Sequence, residues 1–404
     1  MKVLVLNCGS SSIKYQFIDT ESKIALAKGM VERIGMGSAV LTHTPYGKEK
    51  IRIVGEILDH IMAIEYVIAV LLSKNHGVIT DKSEIDAVGH RVVHGGETFS
   101  GSVLITDEVM KALKDNIELA PLHNPPNIKG INAAKEHLPT TPQCGVFDTA
   151  FHIQMPPKAF LYGIPYELYR KYKIRKYGFH GTSHRYVSLR AAELIGRPCD
   201  QLKIITAHLG NGASMAAIDC GKSVDTTMGF TPLEGLIMGT RCGDMDPSVI
   251  LYVMGKEGLS LMEANTLMNK HSGLSGLSGG TSDMRELEED LLDGDKKSRT
   301  AFDVFCYRIK KYVGAYTAAM GGLDALVFTG GIGENSSMVR KTVCENMQLL
   351  GIELDDKLND EAKGEIDLSS PNSKVRIFRI PTNEELVIAL DTEQIVKEQI
   401  VSKV

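Results

Sequence analysis

The chain has 404 residues, of which 43% are hydrophobic and 24% charged, and a formal net charge of −5. That is the balance of a globular protein with room for two domains, and it argues against a nucleic-acid-binding surface. The longest apolar stretch, Ile61 to Leu72, carries Glu65 and is too short to span a bilayer, so neither nucleic acid nor membrane is expected as a partner.

Val3 to Leu6 reads as a buried strand, followed by a polar turn from Asn7 to Ser12. A second strand follows, in which Ile13, Tyr15 and Phe17 alternate with Lys14 and Gln16. A turn holding Asn7, Ser10, Ser12 and Lys14 gathers amides, hydroxyls and one cation, which suits phosphate but equally suits a surface hairpin. The chain opens on this strand rather than on a basic segment, an apolar run and a cleavage site, so a cytoplasmic protein is expected. Further short strands are expected between Lys28 and Lys50, and a helix over Ile51 to Lys74. Ile85 to Val93 reads as a buried strand that places Arg91 near its C-terminal end, where α/β sheets collect ligands. A helix through Asp107 to Leu119 and a proline-fixed loop, PLHNPPN, precede a strand, Gln143 to Phe147, that ends on Asp148.

GFHGTSHRYV opens a helix with Thr182 or Ser183 as its N-cap, and His180 reads as a loop histidine. Residues 203 to 219 repeat the opening pattern of strand, glycine turn and strand at an offset of 200, which suggests two related domains. Leu236 to Asp246 is a Gly-rich loop carrying Arg241, and Pro247 starts a helix. Ser272 to Arg285 reads as a flexible Gly/Ser-rich loop, and a helix is expected from Arg299 to Met320. Ala325 to Glu334 is strand, glycine turn and helix start. Thr382 with Glu385 matches a capping box before a helix from Leu386 to Lys397. The seven cysteines are odd in number and form no CxxC pair, so buried free thiols are expected, with Cys8 a small filler. Three glycine turns after apolar strands point to a polyphosphate ligand, although neither a Walker A sequence nor GxGxxG after a strand is present.

The segments NCGSSSIKY, GHRVVHGG, HNPP, FDTAFH, YGFHGTSH, HLGNG, GTRCGDMDP, TSDMR, TGGIGEN and TNEE, in this order, resemble the acetokinase family of short-chain carboxylate kinases over essentially the whole chain. The resemblance implies an α/β fold of two duplicated actin/ribonuclease-H-like domains around a nucleotide cleft. It implies residues 1–150 with 385–404 as the acetate-side domain, and 151–384 as the nucleotide-binding and dimerisation domain of a homodimer. ATP and acetate would be substrates and Mg²⁺, with Mn²⁺ as an alternative, the metal, held by Asn7 and Glu384. Lys14, Ser10 and Ser12, His208, Leu209, Gly210, Asn211 and Gly212 would contact ATP. So would Asp283, Met284 and Arg285, and Gly331, Ile332, Gly333, Glu334 and Asn335. Arg91 would bind the substrate carboxylate, and Asp148, His180 and Arg241 would serve catalysis. Val93, Leu122, Phe179 and Pro232 look like the apolar pocket for the substrate methyl. A propionate or butyrate kinase is the nearest rival, and a chaperone- or actin-like ATPase is the rival from another class.

Overall fold

The opening hairpin is the middle of an eight-stranded sheet. Its strands are β1 (Lys2–Cys8), β2 (Ser12–Asp19), β3 (Ile24–Glu32), β4 (Ala39–Pro45), β5 (Ile51–Gly55), β6 (Ala87–Val92), β7 (Val103–Leu104) and β8 (Gln143–Phe147). They lie in the order β5-β4-β3-β2-β1-β6-β8-β7. β1 pairs antiparallel with β2 and parallel with β6, and β6 pairs parallel with β8. Val3 to Leu6 are buried on both faces, as an apolar run at the centre of a covered sheet requires. The computed structural model describes residues 1–401. In it this sheet belongs to one compact unit, Met1–Ile153 with the segment from Asn383 onward, and Gln154–Thr382 forms a second.

Helices His60–Leu71 and Asn124–His137 pack together over the first sheet, and helix Glu384–Val401 packs on β1, β6 and β8. Two glycines make room for this layering. A Cβ on Gly89 would stand 2.7 Å from Ile388 and Thr392, and one on Gly130 would stand 2.3 Å from Cys8 Sγ.

The second sheet holds β9 (Lys203–Leu209), β10 (Ala213–Asp219), β11 (Lys222–Thr226), β12 (Ala325–Thr329), β13 (Ile366–Asp367) and β14 (Arg376–Arg379), in the order β11-β10-β9-β12-β14-β13. Antiparallel pairing of β9, β10 and β11, and parallel pairing of β9, β12 and β14, repeats the order and sense of β3-β2-β1-β6-β8. The fold is therefore α/β and duplicated. Register sharpens the repeat: Lys2 pairs with Asp19 and Lys203 with Asp219, so the first strand is offset by 201 and the second by 200. The second turn is one residue shorter, which makes His208 the counterpart of Asn7 and Ser214 that of Lys14.

Several local expectations need correction. Ile51 to Lys74 is not one helix: Ile51–Gly55 adds to the sheet edge beside β4, and the helix begins at His60, capped by the Asp59 side chain. PLHNPPN is not all loop: Pro125 and Pro126 occupy the first turn of helix Asn124–His137, where a missing N–H costs nothing, and only Pro121 stays in the turn before it. Helix Gly181–Ile195 takes His180 at its N-cap, with Thr182 and Ser183 inside it. The Gly/Ser-rich segment contains helix Gly273–Ser278. Cys220 is exposed, and Cys199 and Cys242 are half-buried, so only four of the seven thiols lie in the core.

Candidate active site

In the first unit, strand register aligns several of the expected site residues. Asn7 on β1 faces Lys14 on β2, and one step beyond the Leu6–His90 pair Asn7 comes level with Arg91 on β6. Arg91 is level with Val146 on β8, and Asp148 lies two residues on, on the same face. Lys14, Asn7, Arg91 and Asp148 thus form one row at the C-terminal ends of the parallel strands, and Ser10 and Ser12 belong to the turn beside it.

Arg91 and Asp148 meet as a fork: Nε donates to Oδ1 at 3.0 Å and Nη2 to Oδ2 at 2.8 Å. Glu384, the first residue of its helix, stands 3.8 Å from Arg91 Nε. The helix is capped by Asn383, whose side chain accepts from Leu386 N at 3.1 Å, rather than by a Thr382–Glu385 box. Glu384 is therefore not engaged in capping. Burial pushes its pKa up to about 7, Arg91 and Lys14 oppose this, and Asp148 and Glu385 add to it. Buried Asp148 and half-buried Glu384 beside one guanidinium leave negative charge that a divalent cation would balance. An amide oxygen from Asn7 and a carboxylate from Glu384 are hard donors of the kind Mg²⁺ takes, together with water and phosphate oxygens. Among the described residues no group of three or more His, Cys, Asp or Glu forms a protein-only metal cage.

In the second unit His180 adopts the left-handed conformation, φ 57°, at the start of its helix, a strained placement for a non-glycine residue. Its ring is held on two sides. Nδ1 lies 2.9 Å from Ser214 Oγ, which is also 2.7 Å from His184 Nε2, and the ring stacks on His208 with centroids 4.3 Å apart. Ser183 Oγ joins His208 Nδ1 and Thr382 Oγ1, each at 2.8 Å. A Cβ on Gly212 would lie 3.6 Å from Arg241 Nη1 and 3.7 Å from His180 Cε1, so both side chains flank this turn. Arg241 Nη1 donates to Pro232 O at 3.1 Å, and among the described residues no carboxylate pairs with Arg241. Burial lowers its pKa from the usual arginine value. A half-buried guanidinium without an acid partner has the charge and the free donors to take an anion.

A cavity of about 590 Å³ lies elsewhere in this unit, lined by Gly210, Asn211, Asp283 to Arg285, Gly331, Ile332 and Asn335, with Ser282, Glu288 and Ser336. Asp283 caps helix Met284–Leu292 and pairs with Arg285 at 2.6 Å, which draws the carboxyl down to about 2. Leu209 and Gly333 turn into the core, and Glu334 Oε1 accepts from Gly330 N at 3.0 Å. The carbonyls of Gly333 and Glu334 accept from buried Arg340 Nη1, both at 2.9 Å, which fixes the glycine turn from behind. Of the expected apolar pocket residues, Val93 and Leu122 lie in the first unit and Phe179 and Pro232 in the second. Leu122 is exposed and Phe179 buried. Arg340 and Ser214 escape a sequence reading, because neither sits in a glycine turn or at a strand end of distinctive composition.

A family model described as the acetokinase family matches residues 2–390. An acetate kinase of Carboxydothermus hydrogenoformans is 55% identical over 397 residues, covering 98% of this chain and 99% of the relative. One of Clostridium acetobutylicum is 57% identical over 398 residues, covering 98% and 99%. Among solved structures, the Porphyromonas gingivalis acetate kinase superposes with a TM-score of 0.95 at 50% identity, covering 98% of this chain and 99% of that one. A propionate kinase from Francisella tularensis superposes with a TM-score of 0.91 at 43% identity, covering 97% and 99%.

Proposed function

The chain belongs to the acetokinase family, and from that premise we propose that it moves the γ-phosphoryl group of ATP to acetate by direct in-line transfer, reversibly. An acetate oxygen forms the new bond to phosphorus. The bond from phosphorus to the β,γ-bridging oxygen breaks, and its electron pair leaves with ADP. The observation that carries this reading is the Arg91–Asp148 fork. Asp148 occupies the Nε–Nη2 edge of the guanidinium, and the Nη1 edge is left to take a substrate carboxylate as a second fork. A small carboxylic acid with a pKa of about 4.3 is already ionised at pH 7, so transfer needs no general base. We therefore read Asp148 as the residue that sets the plane of Arg91.

Arg241, charged and without an acid partner, suits the transferring phosphoryl group, and His180, clamped by Ser214 and His208, suits an equatorial oxygen. The cavity at Gly210, Asp283 and Gly331 is the proposed nucleotide site, with the glycine turns offering backbone N–H groups. Mg²⁺, with Asn7 and Glu384 as protein ligands, would supply neutralisation of phosphate charge.

Among the described residues no helix is long and apolar enough to cross a membrane. A cytoplasmic protein without nucleic-acid partners is the reading the composition supports. Exposed Leu251, Tyr252, Leu261 and Met262 on adjacent helices support a homodimer. The likeness to a propionate kinase favours a second, slower acid substrate.

Hydroxylamine trapping with Mg-ATP tests the reading. Acyl hydroxamate should form from acetate, and from propionate with lower kcat/KM, since one methylene is worth about 1–3 kcal/mol in an apolar pocket. Absence of hydroxamate from every short acid would overturn the kinase assignment. Equal turnover of acetate and butyrate would overturn the pocket residues.

A further inference from the structure

Two side chains outside the row of site residues fix the peptide planes of the opening turn. Asn127, buried on helix Asn124–His137, donates from Nδ2 to Cys8 O at 2.9 Å and accepts at Oδ1 from Val93 N at 3.1 Å. The last backbone pair between β1 and β6 is Leu6 with His90, so one amide side chain continues the ladder where the strands have separated. His60, buried at the start of its helix, meets Gly9 O through Nε2 at 2.8 Å. A carbonyl can only accept, so that nitrogen carries the proton.

The remaining backbone bonds of the turn follow one pattern. Gly9 N donates to Ser12 O at 2.8 Å and Ile34 N donates to Ser11 O at 3.0 Å. The carbonyls of Cys8, Gly9, Ser11 and Ser12 are thus all engaged by the protein. The N–H groups of Ser10 and Ser11 meet no acceptor among the described residues. In a trans peptide C=O and N–H point in opposite directions. With Gly9 O drawn to His60, the N–H of Ser10 is aimed away from the helix, on the exposed side of the turn. Successive N–H groups presented in this way form an anion-binding concavity.

We propose that His60 and Asn127 are positioning residues for phosphoryl transfer, holding the turn 8–12 so that its free amides face the phosphate. This rests on the kinase reading above. His60→Leu removes the donor, whereas His60→Gln returns an N–H at nearly the same reach. Asn127→Asp keeps the acceptor for Val93 N and sets a carboxylate oxygen against Cys8 O. Steady-state kinetics should show His60→Leu and Asn127→Asp losing ten- to a hundredfold in kcat, with KM for acetate within twofold. His60→Gln should recover to within about threefold of the parent. Hydrogen exchange of the peptide spanning residues 8–13 should slow when acetyl phosphate is added to the parent protein, and slow less in His60→Leu. A parent-like kcat in both disruptive variants would overturn the proposal. So would a loss that follows the fall in melting temperature and is not rescued by glutamine. Failure of the kinase reading itself would appear separately, as a parent protein that forms no hydroxamate.

Discussion

Asp148 and Arg91 show how one contact can decide a residue's role. The fork between them is bidentate and the Asp148 side chain is only 3% exposed, so the carboxylate is committed to the guanidinium. Asp148→Asn keeps the shape and leaves Arg91 with a neutral partner that cannot accept both bonds. A loss of roughly a hundredfold in kcat is expected, with no new limb in the pH–rate profile, because the acceptor needs no proton removed. Recovery of activity at high pH alone would assign Asp148 to base catalysis instead. The individual residues of this row were legible in the sequence, since Arg91 and Asp148 end apolar strands. Their mutual grip was not legible, because it depends on β6 and β8 being parallel neighbours. The same limit applied to Thr382 and Glu385, whose spacing fits a capping box that Asn383 renders unnecessary.

At the level of elements, β6 and the segment that follows it bury two histidines close to Arg91, His90 on the strand and His94 two residues past its end. His90 Nε2 donates to Gln143 Oε1 at 2.8 Å inside the sheet, and burial draws its pKa from 6.5 down to about 4. His94 falls to about 4 as well, through burial first and His123 second. In the unfolded chain both titrate near 6.5. Between pH 6.5 and 4 the unfolded state therefore binds more protons than the native state, and stability falls as the pH falls through that window. Each histidine should cost about 2 kcal/mol between pH 7 and pH 5. Urea melts at the two values measure this, and His90→Gln should flatten the difference. An unchanged midpoint between pH 7 and pH 5 would contradict the burial argument. Strands bounded by polar glycine turns, such as Val3 to Leu6, were the more legible elements, whereas the edge strand Ile51–Gly55, lacking such bounds, was absorbed into the helix after it. Helix starts were less so: the left-handed His180 displaced Thr182 and Ser183 as the cap, and nothing in local propensity announces such a conformation.

Across the whole chain, the duplicated sheets carry matching positions with different chemistry. Lys14, Asn7, Arg91 and Asp148 in the first unit correspond by register to Ser214, His208, Thr329 and Thr382 in the second. Three of the four side chains in the first row are charged, whereas the second holds hydroxyls and an imidazole: Ser183 joins His208 to Thr382, His184 meets Ser214, and the buried Thr329 hydroxyl has no hydrogen-bond partner among the described residues. A sequence comparison at a fixed offset blurs this, because the shorter second turn shifts β9 by one residue against β10. The repeat was visible as pattern, and its chemistry became visible only through pairing.

The close seat of Gly130 on Cys8 carries a consequence for chemical durability. The thiol of the opening turn, Cys8, is sealed under a helix, with its pKa pushed up to about 12 by burial. Thiolate is the reactive form, so electrophiles and mild oxidants should leave this position untouched while the protein is folded. The exposed thiol is Cys220, at a tight turn after β10, and its own ionisation is held back by the neighbouring Asp219. Alkylation with iodoacetamide followed by peptide mapping should mark Cys220 first and spare Cys8, with activity retained. Labelling of Cys8 in step with inactivation would show that the turn opens in solution. A catalyst built this way keeps its sulfur out of reach of the small reactive acyl compounds that its own chemistry produces.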